Sequence, residues 1–359
     1  MTDLRIGLVG CGFMGSLHAA TVAQSPGAEL AAVFDTNLQS AQRAAEASGA
    51  AVAESLEDLI GGYQLDGVVI ATPDALHLEP VLEAARAGLG ILVEKPLASG
   101  VGEARKMVAA CEEAGVVLMV GHILRFETAY ANLRLAAKEG VIGRIVNVFA
   151  RRHAMRSEAE RFEGAGHVVD YLAVHDFDIL AWLHGRSPAL VFASAARGPI
   201  TERWGTPDVV VATLEYDDGS FAVVESGWTL PEAWSPQRKP REWSPFGDVR
   251  IDVFGEEGML SIDLRSMNLV GVDAKGWRMP ETRHWPQLHG RVSGALREEV
   301  SHFLDCLRSG REPVSTGRTA LAAVELCAAV HSSLRNGARV QVSDTHAGGN
   351  FGEYQEEAR

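Results

Sequence analysis

One stretch near the start constrains the fold more than any other: Arg5-Ile6-Gly7-Leu8-Val9-Gly10-Cys11-Gly12-Phe13-Met14-Gly15-Ser16. An apolar run suited to a buried strand enters Gly10-x-Gly12-x-x-Gly15. An Ala-rich helical segment follows, and a second apolar run, Leu30 to Phe34, ends on Asp35. Strand, glycine loop, helix and acid-tipped strand make the pattern of a dinucleotide site. Gly10 allows the tight turn, Gly12 lets the backbone approach a pyrophosphate, and Gly15 lets the helix pack close to the strand. The free N–H groups and dipole at the helix start favour phosphate charge. Asp35, twenty residues past Gly15, can accept hydrogen bonds from the adenosine ribose hydroxyls. Its charge repels a 2′-phosphate, and Thr36-Asn37-Leu38 supply no cation. The pattern therefore reads NAD over NADP.

From Met1 to Gly121 strand and helix candidates alternate. Strands are expected at 4–9, 30–34, 67–71, 90–94 and 116–120, and helices at 15–24, 38–48, 55–60, 77–87 and 102–114. Near-continuously apolar strands in that alternation predict an α/β domain, a doubly wound parallel sheet covered on both faces. Ligands of such sheets bind beyond the carboxyl ends of the strands. Thr72-Pro73-Asp74-Ala75-Leu76-His77 follows the third strand. Thr72 and Pro73 suit a turn along the nicotinamide, while Asp74 and His77 read equally well as the cap and first turn of a helix. Glu94-Lys95-Pro96 follows the fourth strand. An ammonium there can hydrogen-bond a reacting hydroxyl and stabilise alkoxide charge, and partial desolvation brings its pKa toward useful values.

Beyond His122 the pattern changes. A helix is expected over 126–139, a strand over 144–152, and a charged loop over 153–166, where Arg151, Arg152, Arg156 and Arg161 could meet an anionic group. Val168 to His184 is apolar nearly all round, so it predicts a buried helix. Tyr171, His175 and Asp178 fall at i, i+4 and i+7 on one stripe. His175 is a candidate general acid/base, with Asp178 to orient it or bind a hydroxyl; a core histidine satisfied by local acids is the competing reading. No metal is required. Strands at 189–195, 207–216, 220–230, 248–255, 258–264 and 267–272, with the hairpin signal Asp217-Asp218-Gly219, predict a largely antiparallel open sheet. The proline-rich insert 231–246 suits a lid or interface arm, and helices are expected over 291–309 and 317–335.

Charge narrows the partners. The net charge of −14 without a basic block argues against nucleic acid. The four cysteines show no metal or redox spacing and read as reduced thiols of a cytoplasmic protein. No apolar run suits a membrane span, and the first strand begins too early for a signal peptide.

The chain resembles the Gfo/Idh/MocA family (glucose–fructose oxidoreductase, inositol dehydrogenase, rhizopine catabolism). The matching pieces run in order: Gly10 to His18, Ala71-Thr72-Pro73, Glu94-Lys95-Pro96-Leu97, Gly121-His122-Ile123-Leu124-Arg125-Phe126, His175-Asp176-Phe177-Asp178 through Gly185, and Val253 to Leu260. The resemblance implies a Rossmann domain over 1–121 and a C-terminal α+β domain with a large open, mostly antiparallel sheet over 122–343; the tail over 344–359, with Gly348-Gly349-Asn350, reads from its residues as flexible or as an oligomer arm. It implies NAD(H)-dependent hydride transfer at a secondary alcohol or ketone of a sugar, polyol or inositol-like cyclitol. Expected catalytic residues are Lys95 and His175. Expected cofactor contacts are Gly10, Gly12, Phe13, Met14, Gly15, Asp35, Thr72, Pro73, His77, Glu94 and Lys95. Expected substrate contacts are Tyr171, Asp178, Arg125 and Arg152. A homodimer or homotetramer through the C-terminal sheet is implied. A non-catalytic NAD- or sugar-binding regulator, and a glycosidase that recycles NAD, are the alternatives within the same fold. One departure stands out. Inositol and polyol dehydrogenases of the family carry Asp four residues before this histidine, where this chain has Tyr171. Asp170 is displaced by one residue, about 100° on an α-helix.

Overall fold

The computed structural model describes residues 3–164, 166–231, 247–264, 271–273, 276–278 and 282–342. It divides into two compact units, Met1–Glu127 with Thr282–Val324, and Thr128–Glu281 with Glu325–Arg359.

The first unit alternates β1 (Leu4–Val9), α1 (Phe13–Ala23), β2 (Ala28–Phe34), α2 (Leu38–Ser48), β3 (Ala51–Val52), α3 (Leu56–Gly62), β4 (Gly67–Ile70), α4 (Leu78–Arg86), β5 (Gly90–Glu94), α5 (Val101–Ala114) and β6 (Leu118–Gly121). The strands pair in the order β3-β2-β1-β4-β5-β6, all in parallel. β4 and β6 are buried along their whole length, as a sheet covered on both faces requires. The short edge strand β3 was not expected; its two residues carry too little pattern to be read.

The domain boundary needs correction. Residues 282–324 return to the first unit rather than continuing the second. The reason is the apolar face of helix Ala295–Ser309. Its Leu296, Val300, Phe303 and Leu304 share one core with Ile6, Leu8, Val22 and Met119. Each such fully buried side chain contributes about 1.5–3 kcal/mol. Amphipathicity announces that helix but not its partner.

The second unit holds α6 (Thr128–Lys138), β7 (Ile145–Met155), α7 (Arg156–Arg161), a π-helical turn (Val169–Ala173), α8 (Val174–His184), β8 (Leu190–Ala196), α9 (Pro199–Trp204), β9 (Val209–Glu215), β10 (Phe221–Leu230), β11 (Asp248–Gly255) and β12 (Met259–Asp263). Its sheet runs β12-β11-β7-β10-β9-β8, with Val340–Gln341 beside β8. Only the β10–β7 pair is parallel among these. The Asp217-Asp218-Gly219 turn closes the β9–β10 hairpin, with Asp218 Oδ1 accepting from the Ser220 N–H at 3.0 Å. The expected charged loop after β7 is instead α7, and β7 runs three residues further than predicted. Residues 232–246 of the expected insert, most of the strand at 267–272 and the tail from 343 lie outside the described residues.

Candidate active site

The glycine loop joins β1 to α1. Gly10 has φ +89°, a left-handed conformation that favours glycine. A Cβ on Gly15 would sit 1.9 Å from the Gly10 carbonyl oxygen, so α1 approaches β1 only because that position is glycine. Gly12 caps α1 and is exposed; a Cβ there would meet nothing within 4 Å. The first turn of α1 has neither a side-chain cap nor an acid. Open space thus faces uncapped N–H groups, which suits a pyrophosphate. Asp35 follows β2, where its carboxylate accepts from the Cys11 N–H at 2.6 Å and the Asn37 N–H at 2.7 Å. It therefore orders the glycine loop. Phe13 packs edge-on against Trp285, with ring centroids 5.9 Å apart, and Met14 packs against the core beneath.

Thr72 and Pro73 follow β4, and Lys95 follows β5; the Lys95–Pro96 peptide is cis. His77 is buried, and both its nitrogens face carbonyl oxygens: Nδ1 lies 3.1 Å from those of Pro96 and Leu97, and Nε2 3.0 Å from that of Thr72. The expected cofactor contact is thus a brace that ties the two strand-end loops together. Arg125 is also redirected. It is buried and donates to the Val314 carbonyl oxygen at 2.5 Å, which makes it a structural tie within the first unit.

In the second unit, Tyr171 lies in the π-helical turn and His175 and Asp178 on α8. Tyr171 stacks on the buried Trp228 at 5.3 Å, packs edge-on against Phe162 at 4.8 Å, and accepts a hydrogen bond from Arg161 Nη2 at 2.9 Å. Asp178 is buried, and His175 is partly exposed. Asp170 presents both carboxylate oxygens 2.9 Å from His331 Nε2, and His167 packs against the His331 ring. Arg152 does not fit its expected substrate role. Its guanidinium grips Asp176 with two bonds of 2.8 and 2.9 Å and reaches the Tyr130 hydroxyl at 3.3 Å, all buried. Burial alone would lower its pKa, but Asp176 and then Tyr130 raise it above the usual arginine value. Sequence could not separate this arginine from its neighbours, because its carboxylate lies on another element.

Local pattern assigns no role to His18 or Glu299, which are buried and lie with the half-buried Glu94 in one cluster. A glutamate on the apolar stripe of helix Ala295–Ser309 was the available signal. The four cysteines are buried and free. Burial first, then Asp35, pushes the Cys11 thiol up to about 12, far from a nucleophile's range.

Comparison with known proteins agrees with this fold. Residues 4–122 match the family model described as an oxidoreductase family with an NAD-binding Rossmann fold, and residues 130–261 match the GFO/IDH/MocA C-terminal domain. The chain is 30% identical over 348 residues to the scyllo-inositol 2-dehydrogenase (NAD(+)) of Bacillus subtilis, covering 95% of this chain and 96% of that one. It is 30% identical over 356 residues to the D-apiose dehydrogenase of Paraburkholderia graminis, covering 95% and 90%. The crystal structure of a myo-inositol dehydrogenase from Corynebacterium glutamicum shares the fold, with a TM-score of 0.77 at 24% identity, covering 95% and 99%. The chain belongs to the Gfo/Idh/MocA oxidoreductase family and is an NAD-dependent oxidoreductase.

Proposed function

We propose that the substrate is a polyhydroxylated small molecule, a sugar, polyol or cyclitol, oxidised or reduced at a secondary CH–OH carbon. The observation that carries this reading is Lys95, set directly after β5 in the same parallel sheet whose β1 leads into the glycine loop. Bound NAD supplies or accepts the hydride. Lys95 donates a hydrogen bond to the reacting oxygen and stabilises its developing negative charge. His175 takes the hydroxyl proton in oxidation and returns it in reduction. Tyr171 and Asp178 orient the ring. Gly10, Gly12 and Gly15 form the pyrophosphate cradle, Asp35 takes the ribose hydroxyls, and Thr72 and Pro73 flank the nicotinamide. The scyllo-inositol and D-apiose dehydrogenases among its relatives support the substrate class; Tyr171, in place of the family's Asp, argues that the substrate differs from inositol.

The test is nicotinamide absorbance against a panel of cyclitols, sugars and sugar acids. Turnover that Lys95→Met and His175→Gln abolish is expected. NAD binding without turnover on any of them would overturn the proposal, and product without net nicotinamide reduction would indicate NAD recycling instead.

The reading extends to assembly. Phe149, Phe192, Val211 and Phe221 are exposed on neighbouring strands of the second sheet. We infer that a second copy covers them, giving a dimer or tetramer that light scattering would detect and that Phe149→Glu with Phe221→Glu would dissociate. Among the described residues no helix is long and apolar enough to cross a membrane. The free cysteines support a cytoplasmic site, which fractionation would test.

A further inference from the structure

Beside the Lys95 turn lies a cluster of ionisable side chains that the mechanism does not use. His18 comes from α1, Glu94 from the end of β5, and Glu299 from helix Ala295–Ser309. One nitrogen or oxygen of each lies within 4.8 Å of the others. His18 and Glu299 are each 1% exposed. His18 Nε2 is 2.8 Å from Glu94 Oε1, and Glu94 Oε2 accepts the Lys95 N–H at 3.2 Å. Gly121, at the end of β6, leaves room for that carboxylate, since a Cβ there would come within 3.3 Å of Oε2. Neither oxygen of Glu299 has a hydrogen-bond partner. Glu299 shares its helix face with the buried Leu296, Val300 and Phe303. An ionised carboxylate in such a place is costly, so its presence on an apolar face calls for a reason.

We propose that Glu299, with His18, is a positioning residue of the hydride-transfer site: His18 bonds the Glu94 carboxylate that supports Lys95, and Glu299 lies against that carboxylate as a neutral neighbour. This rests on the reading of Lys95 given above. Two carboxylates this close and this buried do not both ionise. Glu94 keeps its charge. Burial would raise its pKa, but the hydrogen bond and charge of His18, and then Lys95, bring it below the usual carboxylate value. Glu299 holds the proton, because burial and then the Glu94 charge push it well above that value. A neutral Glu299 is a donor with the Glu94 anion as its charged neighbour. His18 thus bonds Glu94 from one helix, Glu299 stands beside it as a neutral neighbour within 4.8 Å from the other, and Glu94 fixes the backbone and the field at Lys95.

The experiment measures Lys95 itself. Full-length protein is acetylated with acetic anhydride across a pH series, and Lys95 labelling is read by peptide mass spectrometry. Glu299→Gln keeps a neutral donor and should hold the Lys95 labelling rate within about twofold. Glu299→Leu should shift that rate by about tenfold, one unit of lysine pKa, while its thermal melt stays cooperative. Wild-type labelling in both variants would overturn the proposal. So would Gln behaving like Leu, or stoichiometric metal in the purified protein that Glu299→Gln loses, since the cluster would then be a cation site. Turnover that survives Lys95→Met would refute the role of Lys95 while leaving the effect of Glu299 on its labelling standing.

Discussion

Gly12 and Gly15 separate cofactor binding from folding. Gly12 has φ −69°, which any residue adopts, and a Cβ there meets nothing within 4 Å. Gly12→Ala therefore costs the fold only the poorer cap, about 0.5–1 kcal/mol. The same methyl group would project into the open space that we assign to the pyrophosphate. A Kd for NAD raised about 100-fold, or about 2.7 kcal/mol, is expected. Linkage makes this visible in a melt. At NAD one hundred times the wild-type Kd, the wild type gains about 2.7 kcal/mol and Gly12→Ala about 0.4 kcal/mol. At roughly 2–4 °C per kcal/mol, that is a shift of roughly 5–11 °C against less than about 2 °C. Gly15→Ala behaves oppositely. Its Cβ would lie 1.9 Å from a backbone oxygen, so α1 must move off β1 at a cost of about 1–3 kcal/mol or more, with or without NAD. NADH fluorescence titration beside the melts decides the matter. A Gly12→Ala variant that binds like wild type, or that loses as much stability as Gly15→Ala, refutes the reasoning.

Arg152→Met leaves Asp176 charged, buried and without its guanidinium, and should cost about 3–5 kcal/mol by urea unfolding while NADH titration stays unchanged; intact stability with lost turnover would return Arg152 to the substrate. Asp35→Asn removes the charge that accepts from Cys11 and Asn37 and should weaken NAD by about tenfold while raising the NADP-to-NAD affinity ratio; an unchanged ratio in fluorescence titrations counts against Asp35 as the selector. Acid should weaken the second unit. Burial, then His331, lowers His167 to about 4, and burial, then Arg186, lowers His184 to about 4. Their unfolded imidazoles take up protons from about pH 6.5 downward, so stability present above that pH is lost progressively toward pH 4. Urea midpoints across that window should fall less in His184→Phe, which keeps a ring against Tyr216.

Most of the first unit was legible because a parallel sheet writes itself twice, as apolar runs and as polar residues at the strand ends. The candidate residues Gly10, Gly12, Gly15, Asp35, Thr72 and Lys95 all lie where that rule put them. His77 and Arg125 obeyed it in position but not in role. A buried side chain's role is set by what packs over it, here the carbonyls of Pro96 and Val314, and distant backbone leaves no trace in local pattern. Glu299 was missed for the converse reason. An acid on an apolar stripe looks like an error until its neighbours on α1 and β5 are known.

The same limit explains the puzzle of Asp170. On an ideal α-helix, residues four apart share a face, and an acid five residues before His175 points away from it. The helix is not ideal at that point: Val169–Ala173 is a π turn, whose hydrogen bonds join residues five apart. One extra residue is absorbed there, so the argument from 100° per residue fails between Asp170 and His175. Yet the carboxylate does not stand idle, because both its oxygens face His331. Tyr171 is held by Trp228, Phe162 and Arg161 instead. Tyr171 thus sits in a π turn with an aromatic stack of its own. Tyr171→Asp would remove the aromatic stack and leave the Asp170–His331 pair in place.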